Sequence, residues 1–282
     1  MSFVSPFDEA AGVSDPDDPR VADIYDDLPL WSAPFGLALL DTVRLRPGLR
    51  ALDVGCGAGF PLVELAERLG PSGRAVGVDP WRHALARLAR KVALRGVANA
   101  CAVEGAAEAL PFADGAFDLA VSNNGFNNVA DAASALAECA RVLRRGGQLV
   151  LTFNLPESML ELYGALGEVL RERGLLEAVD RMRAHIASKR QPVERWRDRL
   201  VGAGFRVDRV ERRQFTMRYA DSVALFGQWF MRLAFVPSWL EVVEPERRED
   251  VFAEVRARLD QGAAGGGLVL TIPFACVDCT RT

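Results

Sequence analysis

Short apolar runs alternate with longer amphipathic stretches between residues 49 and 154, and this pattern sets the first expectation about fold. Leu49–Val54, Arg74–Asp79, Ala100–Val103, Ala116–Ser122 and Gln148–Phe153 are short, apolar and rich in β-formers, so each reads as a buried strand. Pro61–Leu69, Arg82–Arg95 and Ala132–Leu143 carry apolar residues at helical spacing, the last ending at a glycine stop, Arg144-Arg-Gly-Gly147. Regular alternation of this kind predicts a parallel sheet with helices on both faces.

The flanks are less regular. Residues 1–20 carry Pro6, Pro16 and Pro19 among Asp8, Glu9, Asp15, Asp17 and Asp18, the composition of a mobile acidic tail. A short helix over Arg20–Asp27 holds Tyr25, and a second is expected over Leu37–Val43. Beyond residue 154 the pattern predicts a helical insertion over about 156–191, with helices Met159–Arg173 and Leu175–Ser188. Pro192–Gly204 reads as a helix and glycine turn leading into a sixth strand, Phe205–Phe215. A second insertion over about 219–262 contains Ser222–Phe235 and Glu246–Leu259, and a last strand, Leu268–Val277, is expected to lie antiparallel to the sixth. No internal repeat or linker divides the chain, so residues 21–282 read as a single domain with a core at 49–154.

The first strand ends in an acid, Asp53, followed by glycines at alternate positions: Gly55, Gly57 and Gly59. Glycine suits such a turn because it reaches positive φ and lets a ligand approach the backbone without meeting a Cβ, while the N–H groups of the following helix face whatever lies above. A dinucleotide fingerprint would need glycine at position 60, where Phe60 stands. A carboxylate at Asp53 would repel a pyrophosphate but can accept a hydrogen bond from an ammonium group. The second strand also ends in an acid, Asp79, twenty positions after Gly59, the distance at which a carboxylate meets ribose hydroxyls. A solvated turn before Pro80 is the bland alternative.

The pattern D-x-G-x-G-x-G resembles the first motif of the class I S-adenosylmethionine-dependent methyltransferases. Leu110-Pro-Phe-x-Asp-Gly-x-Phe-Asp118 and Leu136-x-Glu-x-x-Arg-Val-Leu-Arg-x-Gly-Gly147 resemble later blocks of the same family, in its order, and most of all its type 11 group with the ubiquinone/menaquinone-biosynthesis C-methyltransferases. The resemblance covers about residues 49–154. It implies a Rossmann-like α/β fold: a seven-stranded, mostly parallel sheet with the last strand antiparallel, helices on both faces and helical lid insertions. It further implies S-adenosyl-L-methionine as cofactor, with Asp53, Gly55, Gly57 and Gly59 around its methionine moiety and Asp79 at its ribose. Pro80 and Trp81 would flank adenine. Ala106 stands where the family often has an adenine-binding Asp, leaving the Ala107 N–H or Glu108 for that edge. Asn123, at the end of the fourth strand, would approach the cofactor's amino-acid portion, and Tyr25 and Trp31 could close the pocket or merely pack its flank.

Composition narrows the classes of function. A net charge of −4 lacks the basic excess of a nucleic-acid binder. No apolar run approaches the roughly 20 residues of a bilayer span, and the N-terminus shows no secretory pattern, so a cytoplasmic enzyme is expected. Five cysteines do not suggest a disulfide scaffold. Cys276 and Cys279 form C-x-x-C, but in a β-like run that points them to opposite faces; buried thiols are expected there rather than zinc or redox use.

Catalytic chemistry is harder to place. Of two histidines, His83 begins a helix and reads as structural or solvated. His185, in the first insertion, is a candidate general base, against the plainer reading of an exposed helix histidine. Phe226, Trp229, Phe230, Phe235 and Trp239 include spacings of three and four and form either an apolar helical stripe packed in the core, part of an acceptor pocket, or a homodimer contact. Residues 171–213 hold thirteen Lys/Arg against seven Asp/Glu, a solvated face, an attraction for an anionic substrate, or a counterpart to the acidic tail. The expected activity is transfer of a methyl group (EC 2.1.1.-) to a small organic, apolar or aromatic acceptor by in-line displacement. A non-catalytic cofactor-binding protein and a nucleotide-dependent oxidoreductase are the alternatives.

Overall fold

The computed structural model describes Pro19, Ala22 and residues 30–263 and 266–282; the acidic tail and Tyr25 lie outside the described residues. In chain order the elements are α1 (Ala33–Thr42), β1 (Arg50–Val54), α2 (Leu62–Leu69), β2 (Arg74–Asp79), α3 (Arg82–Arg95), β3 (Ala100–Glu104), β4 (Phe117–Asn123), α4 (Ala132–Val142) and β5 (Leu143–Asn154). They continue with α5 (Leu160–Glu172), α6 (Leu176–Lys189), α7 (Val193–Gly202), β6 (Phe205–Tyr219), α8 (Ser222–Gly227), α9 (Trp229–Ala234), α10 (Val236–Leu240), α11 (Arg248–Gly262) and β7 (Leu268–Arg281). The described residues from 30 on fall into two compact units: one of residues 30–155, 191–213 and 274–282, the other built on residues 156–190 and 214–273.

The sheet has seven strands in the order β3-β2-β1-β4-β5-β7-β6. β1 pairs in parallel with β2 and β4, β2 with β3, and β4 with β5, whereas β7 runs antiparallel to β5. The Thr282 N–H donates to the Gly204 carbonyl at 3.0 Å, which sets the end of β7 beside the start of β6, as expected for an antiparallel neighbour. The chain leaves β1 toward one edge and β4 toward the other, so the topological switch falls between them, and there the crevice of a doubly wound sheet opens.

Local chemistry explains the elements around that crevice. In α2, Leu62, Val63, Leu65, Ala66 and Leu69 are buried, with Glu64 in the first turn and Arg68 in the last, matching the helix dipole. Asp131 caps α4 by accepting from the Ala133 and Ser134 N–H groups at 2.9 and 3.3 Å. Beneath them the core packs Leu52, Val54, Ala120, Leu149 and Phe153 with Leu136 and Trp196; Trp196 stacks on Phe153 at 5.1 Å.

In the helical unit, Leu162, Leu166 and Leu170 of α5, Val179 and Met182 of α6, and Val251, Phe252 and Val255 of α11 are buried. Phe226 meets Trp239 and Phe252 edge-on at 5.8 and 6.1 Å. Arg258 of α11 reaches Glu168 and Glu172 of α5, and Arg173 reaches Glu254 at 2.9 Å.

Three expectations need correction. The helix before β1 begins at Ala33 rather than Leu37, because Pro34 fits the first helical turn. β6 and β7 each run four residues past their expected ends, to Tyr219 and Arg281. The aromatic stripe is not one helix: Gln228 takes extended backbone angles and its side chain caps α9, and the chain breaks again at Phe235 before α10. Phe226 and Trp239 are therefore buried, while Trp229 is 52% exposed.

Candidate active site

Gly55 to Phe60 cross the C-terminal end of β1 with backbone that side chains would obstruct. Gly55 and Cys56 both donate to the Val78 carbonyl, at 2.8 and 3.2 Å, drawing the loop against β2. A Cβ at Gly59 (φ +103°) would stand 2.4 Å from Leu88 Cδ1, so helix packing excludes a side chain there. Gly57 differs: its φ is +50°, and an added Cβ would meet no protein atom within 4 Å. The loop is open above Gly57.

Two carboxylates flank this opening under different conditions. Asp79 is half-buried; Oδ2 accepts from the Gly57 N–H and Oδ1 from the Trp81 N–H, each at 2.8 Å. A carboxylate has about four acceptor positions, so each oxygen can still accept from a hydroxyl. Burial raises the Asp79 pKa, and the two N–H groups oppose the rise. Asp53 lies between Gly77 of β2 and Val121 of β4 and has no exposed surface. Neither of its oxygens has a hydrogen-bond partner. Burial first, then the Asp79 charge, lifts its pKa to about 8; the Leu62 N–H opposes this from outside hydrogen-bonding geometry. A buried acceptor pair left without donors is costly and suits an incoming cationic donor.

The far wall is built from asparagines. The Asn123 side chain donates to the Ser32 carbonyl at 3.1 Å and accepts from the Thr152 hydroxyl at 2.9 Å. Asn124, in the left-handed region at φ 60°, accepts through its side chain from Asn127, which also donates to Asn154. A Cβ on Gly36 of α1 would collide with the Phe60 ring at 2.3 Å and approach Asn123 at 3.2 Å. The start of α1 thus packs directly on the loop and the end of β4.

The predicted residues do not all contribute in the same way. Asp53, Gly55, Gly57, Gly59, Asp79, Trp81 and Asn123 come together around the switch point. Pro80 and Ala106 are exposed and Ala107 is buried. Glu108 Oε1 accepts from the Ala130 and Asp131 N–H groups at 2.9 and 3.2 Å, which ties this side chain to the start of α4. His185 lies in the helical unit, half-buried rather than exposed, with Nε2 3.1 Å from the Tyr163 hydroxyl. Cys276 and Cys279 are buried free thiols, and the described residues contain no cluster of three metal-ligating side chains.

Sequence reasoning missed Gly77 and the asparagine cluster. A Cβ on Gly77 would stand 2.5 Å from Cys56 Sγ, a need that shows only once β1 and β2 are paired. Asn124 and Asn127 share the loop after β4, and Asn154 joins them only from the end of β5.

A doubly wound sheet with a glycine loop at its switch point, an open face at Gly57, an unpartnered buried carboxylate and a diol-ready acid defines a nucleoside-cofactor site whose ligand carries a cation rather than a pyrophosphate. These residues fit S-adenosylmethionine, and comparison with known proteins agrees. Residues 52–151 match the family profile described as "Methyltransferase domain". The chain is 32% identical over 267 residues, 92% of its length and 95% of the relative's, to a nocamycin O-methyltransferase of Saccharothrix syringae. It is 39% identical over 108 residues to a demethylmenaquinone methyltransferase of Anoxybacillus flavithermus, a match spanning 38% of this chain and 46% of that one. Among solved structures, the YcgJ protein of Bacillus subtilis shares the fold with a TM-score of 0.58 at 18% identity, covering 88% of this chain and 98% of that one.

The chain belongs to the class I S-adenosylmethionine-dependent methyltransferases. It is an enzyme of class EC 2.1.1.- that uses S-adenosyl-L-methionine. No helix among the described residues is long and apolar enough to cross a membrane.

Proposed function

We propose that this enzyme methylates an oxygen of a small organic molecule with an apolar or aromatic body, by in-line displacement. The observation that carries the reading is the likeness to an O-methyltransferase over 92% of the chain, which includes the helical unit as well as the cofactor core. When bound, the cofactor supplies a methyl group made electrophilic by a sulfonium. Asp53 would accept the ammonium of its amino-acid end, Gly57 would leave the backbone open to it while Gly55 and Gly59 let the loop pack beneath, and Asp79 would receive the ribose hydroxyls. Trp81 and the Ala107 N–H border the adenine, with Ala106 leaving that edge without a side-chain acceptor. Asn123 holds the end of β4 against α1 and faces the amino-acid portion.

Displacement at carbon needs alignment more than functional groups: well-oriented reactants gain roughly 7–11 kcal/mol from position and exclusion of water. An acidic oxygen nucleophile already ionised at neutral pH needs no base. This agrees with His185, whose pKa is lowered to about 4 by burial, then Arg190, then Lys189; neutral at pH 7, it is too weak a base to be essential. The helical unit, which carries the aromatic cluster of Phe226, Phe235 and Trp239, is proposed to select the acceptor.

The test incubates the protein with S-adenosylmethionine and a panel of phenols, enols, carboxylic acids, quinones and amines, and follows S-adenosylhomocysteine. Turnover confined to oxygen acceptors supports the proposal; turnover only of amines, or only at carbon, contradicts it.

A further inference from the structure

The helical unit contains one buried charge that its own structure leaves uncompensated. Arg190, at the C-terminal end of α6, is 3% exposed, yet its Nε and Nη1 have no hydrogen-bond partner. Its guanidinium carbon lies 4.9 Å over the Tyr163 ring, and no carboxylate among the described residues forms an ion pair with it. A cation–π contact and the negative end of a helix ease a buried positive charge, but neither supplies acceptors for the N–H groups.

The surroundings are polar on one side and aromatic on the other. The Trp239 Nε1–H donates to the Tyr163 hydroxyl at 3.0 Å. The same hydroxyl lies 3.1 Å from His185 Nε2; donating its own proton there goes with the neutral tautomer that carries hydrogen on Nδ1. The charged groups acting on His185 are Arg190 and Lys189, both cationic. Phe235 stacks on Trp239 at 5.8 Å with the rings 29° apart, and Phe230 meets Phe235 at 5.7 Å.

We infer that Arg190, with Tyr163 beside it, is the receiving site for the oxyanion of a flat organic acid, a carboxylate or an enolate. A planar guanidinium presents parallel N–H donors that match two oxygens in one plane, and the neighbouring rings suit a flat apolar body. The site stands on the helical unit alone; identifying its ligand as the methyl acceptor rests on the reading under Proposed function. Under that reading the acceptor is an acid held by its charge.

The chain's two histidines make the test direct. The full-length protein, labelled with carbon-13 at histidine, is titrated with salicylate, with its neutral isostere salicylamide and with inorganic phosphate, and the His185 ring signal is followed from pH 3.5 to 8. Salicylate is expected to shift the signal saturably and to raise its midpoint from about 4 by roughly one unit, because the anion offsets the Arg190 charge. Salicylamide and phosphate should bind at least about tenfold more weakly, and Arg190→Gln should bind salicylate no better than salicylamide. Without ligand, Arg190→Gln should melt at or above the wild-type temperature, since it removes a cost rather than a contact. An unmoved His185 signal, equal affinity for salicylamide, or unchanged salicylate binding by Arg190→Gln overturns the site. Equal affinity for phosphate overturns the organic-acid class. If the variant fails to fold, the wild-type titration still decides. Salicylate binding in a protein that does not bind S-adenosylmethionine would leave this site standing and remove the methyl-transfer reading.

Discussion

Each of the two units buries an ionisable side chain without hydrogen-bond partners, an acid in one and a base in the other, and they do so by different means. In the cofactor core, Asp53 is held within the sheet, with backbone geometry dictating nearly every neighbour: glycines at 55, 57 and 59, the Val78 carbonyl, and Gly77 across the strand. In the helical unit, Arg190 lies over the ring of Tyr163 from α5, whose hydroxyl is held by Trp239 of α10 and His185 of α6. Backbone-defined sites leave a periodic trace in sequence because only glycine satisfies them. Sites made of side chains on helices leave no such trace.

The sharpest way to break the contrast is to force a side chain into the backbone-defined site. Gly59→Val places a Cβ near Leu88 at a φ of +103° and should cost about 3 kcal/mol or more, read from chemical denaturation. A comparable substitution at exposed Gly227, where a Cβ meets nothing within 4 Å, should cost no more than roughly 1 kcal/mol.

Asp53→Ala ranks next. S-adenosylmethionine affinity should fall by about tenfold to a hundredfold in calorimetry, while the fold persists. Stability should respond in the opposite sense. A carboxyl whose pKa is raised to about 8 in the folded protein contributes stability that is present below the unfolded pKa near 4 and lost as pH rises through 8. Asp53→Asn, which stays neutral, should therefore flatten this decline and melt above wild type at pH 8. A variant that melts below wild type at that pH would show Asp53 to be a structural anchor.

Asp79→Asn should have a smaller effect, weakening the cofactor by about tenfold and costing roughly 1 kcal/mol through its contacts with the Gly57 and Trp81 N–H groups. Smallest is Tyr163→Phe. It should leave S-adenosylmethionine affinity unchanged and raise the His185 midpoint by up to about one unit, because it removes a hydrogen bond to the neutral ring. A lowered midpoint would reverse the assigned donor and acceptor.

How far the sequence reached follows from the same contrast. The strand–loop–helix units of the core were readable because apolar periodicity and glycine placement are local, and the seven-stranded sheet with its last strand antiparallel followed from the family resemblance. The aromatic stretch from Phe226 to Trp239 misled, since residues at helical spacing were split by Gln228 and Phe235 into separate short helices. Arg190 was one of thirteen basic residues in a charged interval, and only burial without acceptors distinguishes it.

The central claim is that each unit buries an ionisable side chain without partners that its ligand engages, and it is tested most directly by calorimetry of S-adenosylmethionine binding at several pH values, in buffers of different ionisation heat. With the Asp53 pKa near 8, binding at pH 7 should release close to one proton. Affinity should tighten by up to about tenfold per unit from pH 6 to 8 and then level off, and Asp53→Asn should lose that slope. Binding without proton release, or a slope that persists unchanged in Asp53→Asn, would contradict it.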